Sequence, residues 1–136
     1  SKYNLRMYSR IGRRAPLYCT GIGKVLMAWL ELPELIAHLE EESFERRTAN
    51  TLTSIDAYLE ELEVVRAQGY AEDHEEFEDN MRCLAAPIRD RFGHVIGGMS
   101  VSFPCFRFRE DLKQDYVNRL VEATQQISRQ LGWHEK

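Results

Sequence analysis

An α+β fold, an antiparallel sheet with helices packed on it, is what the order of apolar patterns along the chain predicts. Three observations carry that prediction. One strand pattern, three helical stretches, two strand patterns and a last helix follow one another without mixing, which is the segregated layout. The tetrad Asp90-Arg91-Phe92-Gly93 joins the last two strand patterns as a hairpin turn. A helical repeat then runs unbroken to the C-terminal region.

Taken in order, Tyr3 to Ser9 alternates and is rich in strand formers, and a turn at Gly12 ends it. The segment Pro16-Leu17-Tyr18-Cys19-Thr20-Gly21-Ile22-Gly23-Lys24 is a glycine-bearing turn that opens into a helix over Ile22 to Leu30. Pro33 occupies the first turn of a short second helix, whose stripe is Leu35, Ile36 and Leu39. Ser54 caps a third, with Ile55, Leu59, Leu62 and Val65 on one face and Gly69 at its end. Cys83 to Ile88 is a short apolar strand, and His94 to Phe103 is its longer partner, stopped by Pro104. Leu112, Tyr116, Leu120, Thr124, Ile127 and Leu131 mark the apolar face of the terminal helix, which Gly132 closes.

The 136 residues, 1–136, are expected to form one domain, long enough to bury a core of its own. A hydrophobic share of 43% with 29% charged residues is that of a globular protein, and the apolar run Val25 to Leu30 is far too short to span a bilayer. A net charge of −4 argues against nucleic-acid binding, which draws on clustered Lys and Arg; Arg6, Arg10, Arg13 and Arg14 are expected to spread along a strand and turn. Three cysteines without paired spacing fit a reducing compartment, the cytoplasm, and four scattered histidines give no metal site. No cofactor is implied. The chain opens on Ser at a strand pattern with no apolar leader, as a piece of a longer polypeptide would.

The glycine turn leaves N–H groups unpartnered at a helix start, a seat for a carboxylate or phosphate over Gly21 to Gly23. It is no nucleotide loop: Tyr18 stands where a P-loop needs its first glycine, and Val25 where it needs a hydroxyl. Ser100 and Ser102, two apart on a strand, present their hydroxyls to one face. Between these segments Asp73-His74-Glu75-Glu76-Phe77-Glu78-Asp79 is expected to be a solvated acidic loop, with Asp73 and Glu76 the candidates for turning inward. Such a carboxylate accepts hydrogen bonds from a polyol. Asn80 suits a left-handed turn. No nucleophile motif surrounds Cys83, although His74 can be placed near it on paper, so it is taken as a small buried hydrophobe and the chain as no enzyme. A cysteine-dependent hydrolase and a ligand-free oligomerisation module are the competing readings.

From Tyr3 to Gly132 the chain resembles the effector-binding domain of the IclR family of bacterial transcriptional regulators. The matching residues are Gly12, Pro16 to Lys24, Gly69-Tyr70-Ala71-Glu72-Asp73, Glu75-Glu76, Arg82-Cys83-Leu84-Ala85-Ala86-Pro87-Ile88 and Ser100-Val101-Ser102. Tyr3 to Arg14 and Asp90 to Gly93 look like those members that sense the sugar acid ketodeoxygluconate. The resemblance implies a GAF-like curved sheet, an effector pocket between sheet and glycine loop, assembly into homodimers or homotetramers, and DNA contact only through a winged helix-turn-helix domain absent from this sequence. It implies that Gly21 and Ile22 offer N–H groups, that Asp73 and Cys83 reach the effector's polar end, that Ser100 and Ser102 add hydroxyls, and that Asn4, Met7, Ala15 and Met81 form the wall. Asn80 stands where the family commonly has glycine.

Overall fold

The computed structural model describes residues 11–135. The expected strand at Tyr3 to Ser9, with Asn4 and Met7, lies outside the described residues. Four α-helices and three strands follow: α1 (Gly21–Ala28), α2 (Leu32–Glu40), α3 (Ile55–Gln68), β1 (Ala71–His74), β2 (Met81–Arg89), β3 (Val95–Pro104) and α4 (Lys113–Gln130). The strands form one antiparallel sheet in the order β1-β2-β3, so the fold is α+β.

The sheet has two differently built faces because side chains alternate along each strand. On one face Ala71 and Asp73 of β1, Cys83 and Ala85 of β2, and Ser100 and Ser102 of β3 lie in register. That face meets α1. Small residues allow the close approach: a Cβ on Gly21 would stand 3.1 Å from the Ala85 methyl, and one on Gly98 3.0 Å from Ile22 Cδ1. Tyr58, Leu62 and Val65 of α3 then pack with Val25, Met27 and Ala28 of α1, and with Leu35 and Leu39 of α2, into the larger core. On the opposite face Leu84 and Ala86 meet Val117 and Leu120 of α4.

Several expectations are met and several shift. Ser54 caps α3 by accepting the Ala57 N–H at 3.2 Å, Gly69 ends it at φ 85°, and Pro33 sits in the first turn of α2. Gly93 takes φ 83° in the hairpin turn, whose Asp90 carboxylate accepts the Phe92 and His94 N–H groups. Helix α1 stops at Ala28, short of Leu30. The buried stripe of α4 is Val117, Leu120, Thr124 and Ser128; Leu120 and Thr124 belong to the expected face, while Val117 and Ser128 replace its neighbours Tyr116 and Ile127, and Leu131 is left 46% exposed beyond the helix. Ser128 decides that shift: its hydroxyl accepts the Arg89 N–H at 2.9 Å and donates to the Thr124 carbonyl at 2.7 Å. Strand β1 is a correction, since Ala71-Glu72-Asp73-His74 pairs with β2 where the expectation was loop from Asp73 onward. No described helix is long and apolar enough to cross a membrane.

Candidate ligand cavity

A cavity of about 120 Å³ lies between the start of α1, the end of β1 with its following loop, and the α1-facing side of β2 and β3. Gly21, Ile22, Ala15, Asp73, Met81, Cys83, Ser100 and Ser102 all line it, so eight residues singled out in the sequence meet in one place. The other two, Asn4 and Met7, fall outside the described residues.

Strand register builds its floor. Asp73 stands opposite Cys83, and Cys83 opposite Ser102, making a polar row across all three strands. Within it the Cys83 thiol and the Ser102 hydroxyl are 3.1 Å apart. Ser102 is half-buried, whereas Ser100, one row further, is exposed at the rim.

The helix start differs in one respect from the expectation of a seat over Gly21 to Gly23. Thr20 is the N-cap, and its Oγ1 accepts the Gly23 N–H at 3.0 Å while donating to the Pro16 carbonyl at 2.6 Å. The Gly21 and Ile22 N–H groups are therefore the ones the helix can offer to an anion.

Asp73 is buried, 3% exposed, with Oδ1 accepting the Glu76 N–H at 2.8 Å. Burial pushes its carboxyl up to about 7; the Glu76 charge adds to this, while loop N–H groups and Lys24 oppose it. At neutral pH this side chain is divided between acid and carboxylate.

Glu76 does turn inward, but its partner is a cation that sequence inspection did not single out. Lys24 is fully buried, and its Nζ donates to Glu76 Oε1 at 2.7 Å, the Glu72 carbonyl at 2.7 Å and Glu61 Oε1 at 3.3 Å. Glu76 Oε2 in turn accepts the His74 N–H at 2.9 Å. Thr48 and Thr51 tie down the rest of the loop by donating to the Glu75 and Glu76 carbonyls. The acidic loop is thus clasped, with Glu75 at φ 56° and Asn80, as expected, left-handed at φ 68°.

Five residues not named as candidates in the sequence also line the cavity, the capping Thr20 among them. Phe77 and Glu78 come from the loop taken as solvated, and Arg13 and Arg14 from the segment expected to spread along a turn. The two arginines are exposed and stand at the mouth. No local pattern distinguishes them from surface charge.

The geometry is poor for a cysteine nucleophile. Burial pushes the Cys83 thiol up to about 11, so little thiolate exists at neutral pH. His74 is exposed and next to Asp73 on the strand, which puts it on the other face of the sheet. Cys83 and His74 are therefore not brought together.

Comparison with known proteins agrees with this architecture. The family model described as Bacterial transcriptional regulator IclR C-terminal matches residues 1–129. The HTH-type transcriptional regulator KdgR of Escherichia coli K12 is 54% identical over 135 residues, covering 99% of this chain and 51% of the relative. The crystal structure of the C-terminal domain of E. coli KdgR superposes with a TM-score of 0.86 at 51% identity, covering 90% of this chain and 74% of that one. A second solved structure is the inducer-binding domain of the PobR transcription factor from Acinetobacter, a double mutant in complex with 3-hydroxybenzoic acid, with a TM-score of 0.82 and 26% identity over 93% of this chain and 73% of that one. The chain spans about half the length of the curated relatives it matches. On the family match and the 54% identity, this chain belongs to the IclR family of bacterial transcriptional regulators and corresponds to its C-terminal domain.

Proposed function

We propose that the cavity receives a small carboxylated sugar acid, with ketodeoxygluconate the first candidate, and that its occupation changes how an attached winged helix-turn-helix domain is presented to DNA. The observation that carries this is the meeting of α1 N–H groups, the Asp73 carboxyl and two serine hydroxyls in one small cavity. The N–H groups hold the carboxylate, and Asp73, Ser100 and Ser102 recognise hydroxyls. The PobR domain, of similar fold, is seen with a hydroxylated carboxylic acid. A ligand that binds one arrangement of the assembly better than another shifts repression by that difference, without covalent chemistry. On this reading residues 1–136 are the effector-binding domain of a cytoplasmic repressor acting as a homodimer or homotetramer.

Calorimetric titration of the chain with ketodeoxygluconate and with neutral sugars checks the proposal. Saturable heats with the acid alone are expected; heats indistinguishable among the ligands overturn it.

Replacing Ser100 and Ser102 together by alanine is expected to weaken the acid by about 1 to 3 kcal/mol, through hydrogen bonds left unmade. The half-buried Ser102 should carry the larger share, because the exposed Ser100 exchanges its ligand contact for water. Equal single-variant dissociation constants would show that the rim and floor hydroxyls do not differ in this way.

A further inference from the structure

If the cavity takes a carboxylate, as proposed above, a second carboxylate already waits inside it. We infer that Asp73 meets the effector as a neutral carboxylic acid, donating its O–H to an oxygen of the bound anion, so that binding above neutral pH draws a proton from solution.

The argument starts from space and charge. Asp73 is buried in the middle of the polar row, in a cavity of about 120 Å³ that also contains the start of α1. An anion seated at Gly21 and Ile22 shares that volume with Asp73, and two carboxylates confined together resist double ionisation. A cation could relieve this, and α1 does bring one, Lys24. Its three hydrogens, however, are already directed to Glu76, Glu61 and the Glu72 carbonyl, and those two carboxylates outnumber it.

The other described groups around Asp73 do not supply the missing charge. Glu78, from the loop after β1, is a further carboxylate, itself pushed up by burial. The thiols of Cys19, Cys83 and Cys105, contributed by the segment before α1, by β2 and by the turn after β3, are all raised chiefly by burial and so stay neutral. Arg13 and Arg14 are exposed at the mouth, where solvent screens them. Arg47, over the Phe77 ring, is exposed in the same way, so among the described residues a proton is the remaining means of neutralising the pair, and it also makes Asp73 a donor. Oδ1 keeps the Glu76 N–H and the Phe77 N–H also favours the ionised form, so the proton is taken up against these loop bonds when the second anion enters.

The sign follows from the free carboxyl titrating at about 7. Well below that, Asp73 is already protonated and binding takes up almost nothing. Well above it, each binding event takes up close to one proton, and affinity falls with rising pH.

Titration calorimetry with ketodeoxygluconate, at pH 6 and pH 8 and in two buffers of different ionisation enthalpy, reads both quantities. The wild-type chain is expected to bind roughly tenfold more weakly at pH 8 than at pH 6, with close to one proton taken up at pH 8. Asp73→Asn keeps a donor and loses the titration, so its dissociation constant should not change with pH and should be roughly tenfold tighter than wild type at pH 8. Glu122→Gln, exposed on α4 at the opposite face of the sheet, should leave the wild-type slope in place. Binding without proton uptake in the wild type, or a slope that survives Asp73→Asn, overturns the donor role while carboxylate binding stands. Absence of heat at both pH values removes the carboxylate reading and this inference together. The wild-type proton count decides the matter even where the Asp73 variant fails to fold.

Discussion

Lys24→Met is expected to destabilise the fold by about 3 to 5 kcal/mol, measured as a drop in the urea midpoint at unchanged slope. The ammonium is buried, and all three of its hydrogens have acceptors drawn from β1, α3 and the loop after β1. Methionine fills a similar volume, so packing alone predicts a small effect. What decides the magnitude is the group left behind. Glu76 is buried, with Oε2 held by the His74 N–H, and without Lys24 its charge has no counter-ion within hydrogen-bonding distance among the described residues. The second-site variant Lys24→Met with Glu76→Gln removes that orphaned charge while keeping an oxygen for His74, so it should be more stable than Lys24→Met alone. A single variant within about 1 kcal/mol of wild type would mean that the network breaks even against an apolar side chain. Because the Glu76 N–H also donates to Asp73, the single variant should loosen the cavity floor as well as the fold.

The contrast between Lys24 and the rest of the cavity shows which parts of this site were legible in the sequence. Gly21 and Ile22 follow from a glycine turn running into a helix, and Ser100 and Ser102 from two-residue alternation on a strand; both are local rules that the chain obeys. Family resemblance joined them with Asp73, Cys83, Ala15 and Met81. Strand β1 escaped notice because Ala71-Glu72-Asp73-His74 has no apolar alternation. Its charges are satisfied outside the strand, Glu72 by Arg82 and by the distant Lys113 on the α4 side, and Asp73 by the loop that follows it. Lys24 escaped for the same reason. In sequence it is one charge at the head of an apolar helix, and the carboxylates that make its burial tolerable lie at Glu61 and Glu76, far along the chain. Thr20 was likewise visible only as part of a turn, although a threonine before a helix start is an N-cap by rule, and that cap removes the Gly23 N–H from the ligand seat. The shift of the α4 stripe depended on a polar residue, Ser128, being chosen for burial over Leu131. Local patterning thus gives element types and the faces of strands, while long-range charge pairing sets what lies inside.

Gly23→Ala should destabilise the chain by about 3 kcal/mol and disturb the cavity, against the usual preference of helices for alanine. Helix propensity alone favours the substitution by about 1 kcal/mol. Sterics oppose it more strongly. A Cβ at this position would lie 2.2 Å from the Leu17 carbonyl oxygen, 2.6 Å from its Cα and 2.7 Å from its carbonyl carbon, all of them backbone atoms that cannot swing aside. Moving Leu17 is itself costly, because its carbonyl accepts the hydroxyl of the fully buried Tyr58 at 2.6 Å. Overpacking of this kind costs about 1 to 3 kcal/mol, and a broken buried hydrogen bond adds about 1 to 3 more. Gly97→Ala is the matched control: an added Cβ there meets nothing within 4 Å, so the change should stay within about 0.5 kcal/mol. Thermal or urea unfolding of the two variants separates the explanations, and equal stabilities would show that the 16–20 turn yields where the contact distances say it cannot. The functional consequence follows from the same atoms. Gly23 is where that turn folds back over α1, its N–H capped by Thr20, and tilting the helix start moves the Gly21 and Ile22 N–H groups away from the cavity. Affinity for a carboxylate should therefore fall in Gly23→Ala even at temperatures where the variant remains folded, while Gly97→Ala binds as wild type does.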